Sequence, residues 1–171
     1  MIRFFCIFIG TLALLFGIEM LSTIQQSVVH PWTGFLAYAS AHIMQLLDGS
    51  ILSHDRILQS SASGFGVSIE AGCNGVEAAI ILIAGMLAFP SSLKLKLAGI
   101  AIGIVAVQGV NLLRIISLFY LGQWNYQAFE FAHLYLWQAL IMLDVLVVWL
   151  LWIRAVARET PPPETEAPLA A

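Results

Sequence analysis

The chain has 171 residues, of which 60% are hydrophobic, 11% aromatic and only 10% charged, with a mean hydropathy of +0.92. That composition excludes an ordinary water-soluble globule, and at about 20 residues per bilayer-crossing helix the length holds about four or five spans. Seven Lys+Arg against ten Asp+Glu give a net charge of -3 without a basic cluster, which excludes nucleic-acid binding.

The first apolar stretch, residues 4–24, follows Arg3 and is long enough to cross the membrane. Glu19, Met20 and Leu21 stand where a cleavage site would need small residues, so it reads as an uncleaved signal anchor. Residues 25–72 form an external segment. Within it, Trp32, Phe35, Leu36, Ala39, Ile43, Leu46 and Leu47 make an apolar stripe, with Thr33, Ser40 and Asp48 on the other side. This predicts an amphipathic helix over 31–48 lying on the outer interface; a fifth span results if it crosses instead. Farther on, Val67, Ile69 and Ala71 alternate with Ser68 and Glu70, the pattern of a short strand, with Ile57–Ser60 as its hairpin partner.

The second span is expected over 73–90, its first turn including Cys73 and its end set by Pro90. The third covers 97–121 and the fourth 133–153. With the N-terminus inside, Arg3, Lys94, Lys96, Arg154 and Arg158 are cytoplasmic and only Arg56 is outside. The fold class is therefore an all-α polytopic membrane bundle, one domain over 1–158. Residues 159–171, with three consecutive prolines, read as a disordered cytoplasmic tail.

Polar residues inside a membrane require a reason, and their depth is informative. The Ala71-Gly72-Cys73-Asn74-Gly75 segment lies at the outer mouth of the second span. Two glycines permit a tight turn there, and a helix N-terminus lowers a thiol pKa, favouring the nucleophilic thiolate. Arg114 lies seventeen residues beyond Leu97, ~25 Å from the cytoplasmic face at 1.5 Å per residue. Glu77, one turn below Cys73, is the expected charge partner of Arg114. His133 opens the fourth span. Cys, Arg and His from three helices thus share one level.

Other polar residues have plainer readings. Cys6 is a packing residue at the opposite membrane face from Cys73, so no disulfide joins the two. His30, His42 and His54 lack a second ligand at zinc-site spacing, and no metal or cofactor is expected. Asp144 reads as a buried packing partner, and Gln108, Asn111 and Ser117 as interhelical hydrogen-bonding residues, with Asn111 also placed to support Arg114.

The ordered set Ala71-Gly72-Cys73-Asn74-Gly75, Asn111-Leu112-Leu113-Arg114-Ile115 and a His opening the last span resembles the exosortase and archaeosortase family, over about Gly64 to Leu151. The short length is similar to the compact exosortase H type. The resemblance implies a membrane cysteine transpeptidase of the bacterial inner membrane, its site facing the periplasm. Its implied partners are exported proteins with a C-terminal sorting tag: a short motif, a hydrophobic helix and a basic end. It also implies Cys73 as nucleophile, Arg114 as cationic partner and His133 as third catalytic residue, with Asn74, Glu77 and Asn111 in support. Larger relatives have additional spans that this chain lacks. The competing reading is a non-catalytic membrane subunit or small transporter, in which Arg114, Glu77 and Asp144 bind an anion or move protons. A serine protease is disfavoured because no Gly-x-Ser-x-Gly elbow occurs.

Overall fold

The computed structural model describes residues 2–159; the tail reading for 160–171 lies outside the described residues. Helix α1 (Ile2–Glu19) ends where Leu21 turns extended. The buried Glu19 carboxylate is satisfied there by Gln25, whose Nε2 donates to it at 2.9 Å. A short helix α2 (Ser22–Ile24) and a π-helical turn (Gln25–Val29) lead into α3 (His30–Gln45). After a three-stranded sheet come α4 (Val76–Ala88) and α5 (Leu93–Trp124). The last helix runs from α6 (Tyr126–Phe131) through a second π-helical turn (Ala132–Leu136) into α7 (Trp137–Glu159).

Among the described residues three helices are long and apolar enough to cross a membrane: Ile2–Glu19, Leu93–Trp124 and Tyr126–Glu159. The expected second span is shorter: α4 has 13 residues, ~20 Å at 1.5 Å each. Gly75 sits at φ 71°, in the left-handed region that stops a helix, so α4 starts at Val76 and Cys73 lies in the turn before it. This corrects the expectation that Cys73 belongs to the helix's first turn.

Helix α5, with 32 residues, is ~48 Å long, well beyond a hydrocarbon core of about 30 Å. Its two halves serve different cores. Toward its N-terminus, Val107 packs with Leu82 and Met86 of α4 and with Val145 and Trp152 of α7. Gly99 and Gly103 permit this closeness: a Cβ at Gly99 would collide with the Trp152 indole, and one at Gly103 with Leu82. Trp152 Nε1 also donates to the Leu95 carbonyl at 2.9 Å. Toward its C-terminus, Ile115 and Phe119 pack with Leu36 and Met44 of α3 and with Ile51 and Leu58 of the sheet.

The sheet consists of β1 (Ile51–His54), β2 (Ile57–Ser60) and β3 (Gly66–Ser68), antiparallel in that order. The expected pairing of Ile57–Ser60 with the later strand is present, with Leu58 opposite Val67. Strand β1 was not foreseen; a two-residue turn with Asp55 at φ 53° joins it to β2.

Helix α3 turns most of the expected apolar stripe away from the protein. Thr33, Leu36, Ala37, Ser40, Ala41 and Met44 are buried, whereas Phe35, Ile43, Leu46 and Leu47 are exposed. Phe35, Ile43, Leu46 and Leu47 of the stripe face outward, as a membrane-bound helix permits, while Leu36 and Trp32 of the same stripe pack on the protein. The face carrying Thr33 and Ser40 packs on the domain as well.

Candidate active site

The site is built on the turn between β3 and α4. Gly72, at φ 81°, supplies a backbone conformation that residues with a Cβ rarely adopt. Its two backbone polar groups are held from opposite sides: the N–H donates to Glu77 Oε1 at 2.7 Å, and the carbonyl accepts from Arg114 Nη1 at 3.0 Å. Asn74, two residues on, is buried and pins the turn three ways. Its Oδ1 accepts from Val76 N at 3.0 Å, its Nδ2 reaches Thr33 Oγ1 at 3.5 Å, and its carbonyl accepts from Trp32 Nε1 at 3.2 Å. The bends at Gly72 and Gly75 and these clamps fix where Cys73 points.

Cys73 Sγ lies 3.0 Å from His133 Nε2 and 3.5 Å from Arg114 Nη2. The three side chains come from the 71–75 turn, α5 and the π-helical turn at Ala132–Leu136. A π-helical turn offsets the register of the residues it carries, and such turns are frequent at functional sites. The His133 ring is stacked on Phe129, one helical turn earlier, with centroids 5.5 Å apart and planes 21° from parallel.

Arg114 is 3% exposed. Among the described residues its guanidinium donates to the Gly72 carbonyl and the Cys73 sulfur, and its Nε has no partner. The expected pairing with Glu77 does not form, because Glu77 is occupied with the Gly72 N–H and stabilises the turn rather than the guanidinium. A buried cation without a carboxylate counterion favours any negative charge that develops beside it.

Burial pushes the Cys73 thiol above its ordinary value; Arg114 pulls the other way, and Glu77 and Glu70 add to the rise. This reverses the expectation of a lowered thiol pKa, since the sulfur precedes the helix and is largely removed from water.

Asn111, one turn before Arg114, is fully buried, and neither end of its amide has a partner among the described residues. Gln108 lies against Gly75, where a Cβ would approach its amide to 2.8 Å. Asp144 belongs to α7, eleven residues beyond His133. Cys6 and Cys73 are both free. Trp32 and Phe129 are site residues that sequence reasoning missed. The position of Phe129 four residues before His133 was a usable signal, whereas nothing local ties Trp32 to a residue 42 positions away.

A model of the family described as Transmembrane exosortase (Exosortase_EpsH) matches residues 2–153. The chain belongs to the transmembrane exosortase family. The match agrees with the resemblance read from the ordered Cys, Arg and His motifs, and it covers every element from α1 through most of α7, Cys73, Arg114 and His133 included. No curated protein and no solved structure matches the chain.

Proposed function

We propose that this exosortase-family protein is a membrane-embedded cysteine transpeptidase or protease that removes C-terminal sorting tags from exported proteins through a thioacyl intermediate. The observation that carries the reading is a sulfur 3.0 Å from an imidazole nitrogen and 3.5 Å from a buried guanidinium. Nucleophile, base and anion stabiliser are the three groups acyl transfer requires.

In this mechanism the Cys73 proton passes to His133 Nε2 as the sulfur attacks the scissile carbonyl carbon. The carbonyl electron pair becomes an oxyanion beside Arg114, a charge absent from the ground state, so the guanidinium acts on the barrier. Collapse of the intermediate breaks the C–N bond, and the His133 proton goes to the leaving amine. The thioester then reacts with water or with an amine or hydroxyl acceptor, whose proton His133 accepts, restoring the thiol.

The cation distribution supports a bacterial inner-membrane protein whose site faces the periplasm. Lys94 and Lys96 lie at the start of α5, and Arg114 follows Leu93 by 21 residues, ~32 Å along the helix and across the bilayer. The exposed apolar stripe of α3 is placed to guide the hydrophobic helix of the tag toward the site.

Co-expression with an exported protein bearing its C-terminal tag tests the reading. Cys73→Ala is expected to accumulate the tagged precursor. Normal tag removal in that variant, with loss of function in Arg114 or Asp144 variants, would favour a transporter or non-catalytic subunit instead.

A further inference from the structure

The sheet has two edges, and they are treated differently. At β1, the outward-facing groups of Ile51 are occupied: Gln45 Nε2 donates to its carbonyl at 2.7 Å, and its N–H reaches the Asp48 carbonyl at 3.4 Å. At β3, the hydrogen-bonding phase fixes which groups face out. The Ile69 N–H donates to Arg56 and the Ser60 N–H to Phe65, both at 2.9 Å. In an antiparallel ladder hydrogen-bonded and non-hydrogen-bonded pairs alternate, so Val67 exchanges its bonds with Leu58. Gly66 and Ser68, opposite Gln59 and Ile57, direct their N–H and C=O groups away from β2. Those groups have no hydrogen-bond partner among the described residues, and both residues are exposed.

The open edge adjoins the reactive sulfur. A cavity of about 100 Å³ is lined by Val67 and Ser68 on one side and by Cys73, Phe129 and His133 on the other, with Leu118 among its apolar walls. Gly66 lacks a side chain at the edge, which favours close approach of another backbone.

We propose that the substrate segment adjoining the scissile bond binds as an added strand on the free edge of β3, hydrogen-bonded to Gly66 and Ser68, and that this registers its carbonyl against Cys73. The occupant is an extended stretch of exported polypeptide. Its backbone supplies the complementary donors and acceptors at every second residue, about 6.8 Å apart, matching the outward groups of Gly66 and Ser68. The cavity receives one side chain of that segment, which makes it a specificity pocket beside the cleavage point. The proposal rests on Cys73 being the nucleophile of the preceding section.

The test uses the full chain in membranes and the acetylated tripeptide chloromethyl ketone Ac-Ala-Ala-Ala-CH2Cl. The Cys73 sulfur forms a bond to the terminal methylene carbon, chloride leaves, and the thiol proton is lost to His133 or solvent. Alkylation at Cys73 is quantified by peptide mapping and divided by the rate with iodoacetamide. N-methylating the probe at single amides is expected to lower that ratio about tenfold where the amide faces the edge and hardly at all at the intervening position. Ser68→Pro removes the outward N–H together with the Ser68 hydroxyl that donates to Glu70 Oε1 at 2.7 Å; relative to Ser68→Ala, which removes only the hydroxyl, it is expected to lower the ratio for the unmethylated probe about tenfold. Equal ratios across the methylated probes, or the same ratio in Ser68→Pro as in Ser68→Ala, would overturn the proposal. Because the probe scan uses the unaltered protein, it stands even if the proline variant fails to fold. Tag removal by Cys73→Ala alongside an alternating scan would instead leave the strand docking intact and remove the catalytic reading.

Discussion

Arg114 holds Gly72 and the sulfur of the following residue at once: Nη1 is 3.0 Å from the Gly72 carbonyl and Nη2 is 3.5 Å from Cys73 Sγ. One guanidinium both shapes the turn that presents the nucleophile and supplies positive charge beside it. Lysine has no planar fork and serves only one of these contacts at a time. Arg114→Ala is expected to lower the rate of tag removal about 100- to 1,000-fold, and Arg114→Lys to recover only a small part of it. Rates measured alongside thermal unfolding of the purified variants check this. Full rescue by lysine would mean that charge alone matters.

The pH dependence of Cys73 follows from the direction of its shift. Burial raises the thiol above its ordinary value of 9.0, so the thiolate fraction in the resting protein keeps growing as pH rises past that value. The rate of Cys73 alkylation by iodoacetamide should climb through pH 9 without levelling off in the neutral range. Glu77 contributes to the rise, so Glu77→Gln, whose amide oxygen still accepts the Gly72 N–H, lowers the thiol pKa and speeds alkylation at neutral pH. A plateau near neutrality in the unaltered protein would mean a preformed thiolate.

Gly75 combines φ 71° with close packing, since a Cβ would meet the Gln108 amide at 2.8 Å. Gly75→Ala is expected to destabilise the protein by about 1–2 kcal/mol from the left-handed backbone alone. It should also lower activity by moving the Cys73 turn. Adding Gln108→Ala relieves the contact but not the backbone term, so the double variant should recover part of the loss. Unfolding midpoints of the unaltered protein and the two variants decide it.

Sidedness has its own readout. With the site facing outward, a membrane-impermeant maleimide applied to intact spheroplasts should label Cys73 and spare Cys6. The two free thiols make each other's control. Labelling of Cys73 only after the membrane is opened would invert the topology.

Much of this architecture is legible in the sequence because lipid-facing helices announce themselves by composition, and because alternation at 67–71 marks a strand. The common depth of Cys73, Arg114 and His133 follows from counting residues along helices, and their side chains meet within 3.5 Å of the sulfur. Which members of the α3 stripe turn inward was not legible: an amphipathic pattern marks the apolar face, not that Leu36 packs on the protein while Phe35 and Ile43 stay exposed. The Arg114–Glu77 expectation failed for a related reason. Spacing brings a carboxylate near, but the unsatisfied Gly72 N–H, visible only in the folded turn, claims it first.

The most direct test is to trap the thioester. In the unaltered protein co-expressed with a tagged exported protein, rapid acid quenching is expected to arrest the thioester before water or an acceptor attacks it, because attack by either needs His133 as a neutral base. Mass spectrometry should then find the substrate's N-terminal fragment joined to Cys73, with a mass equal to that fragment less one water, released by hydroxylamine. Tag removal by the unaltered protein with no such adduct on Cys73, together with continued removal in Cys73→Ala, would contradict the assignment of the sulfur as nucleophile.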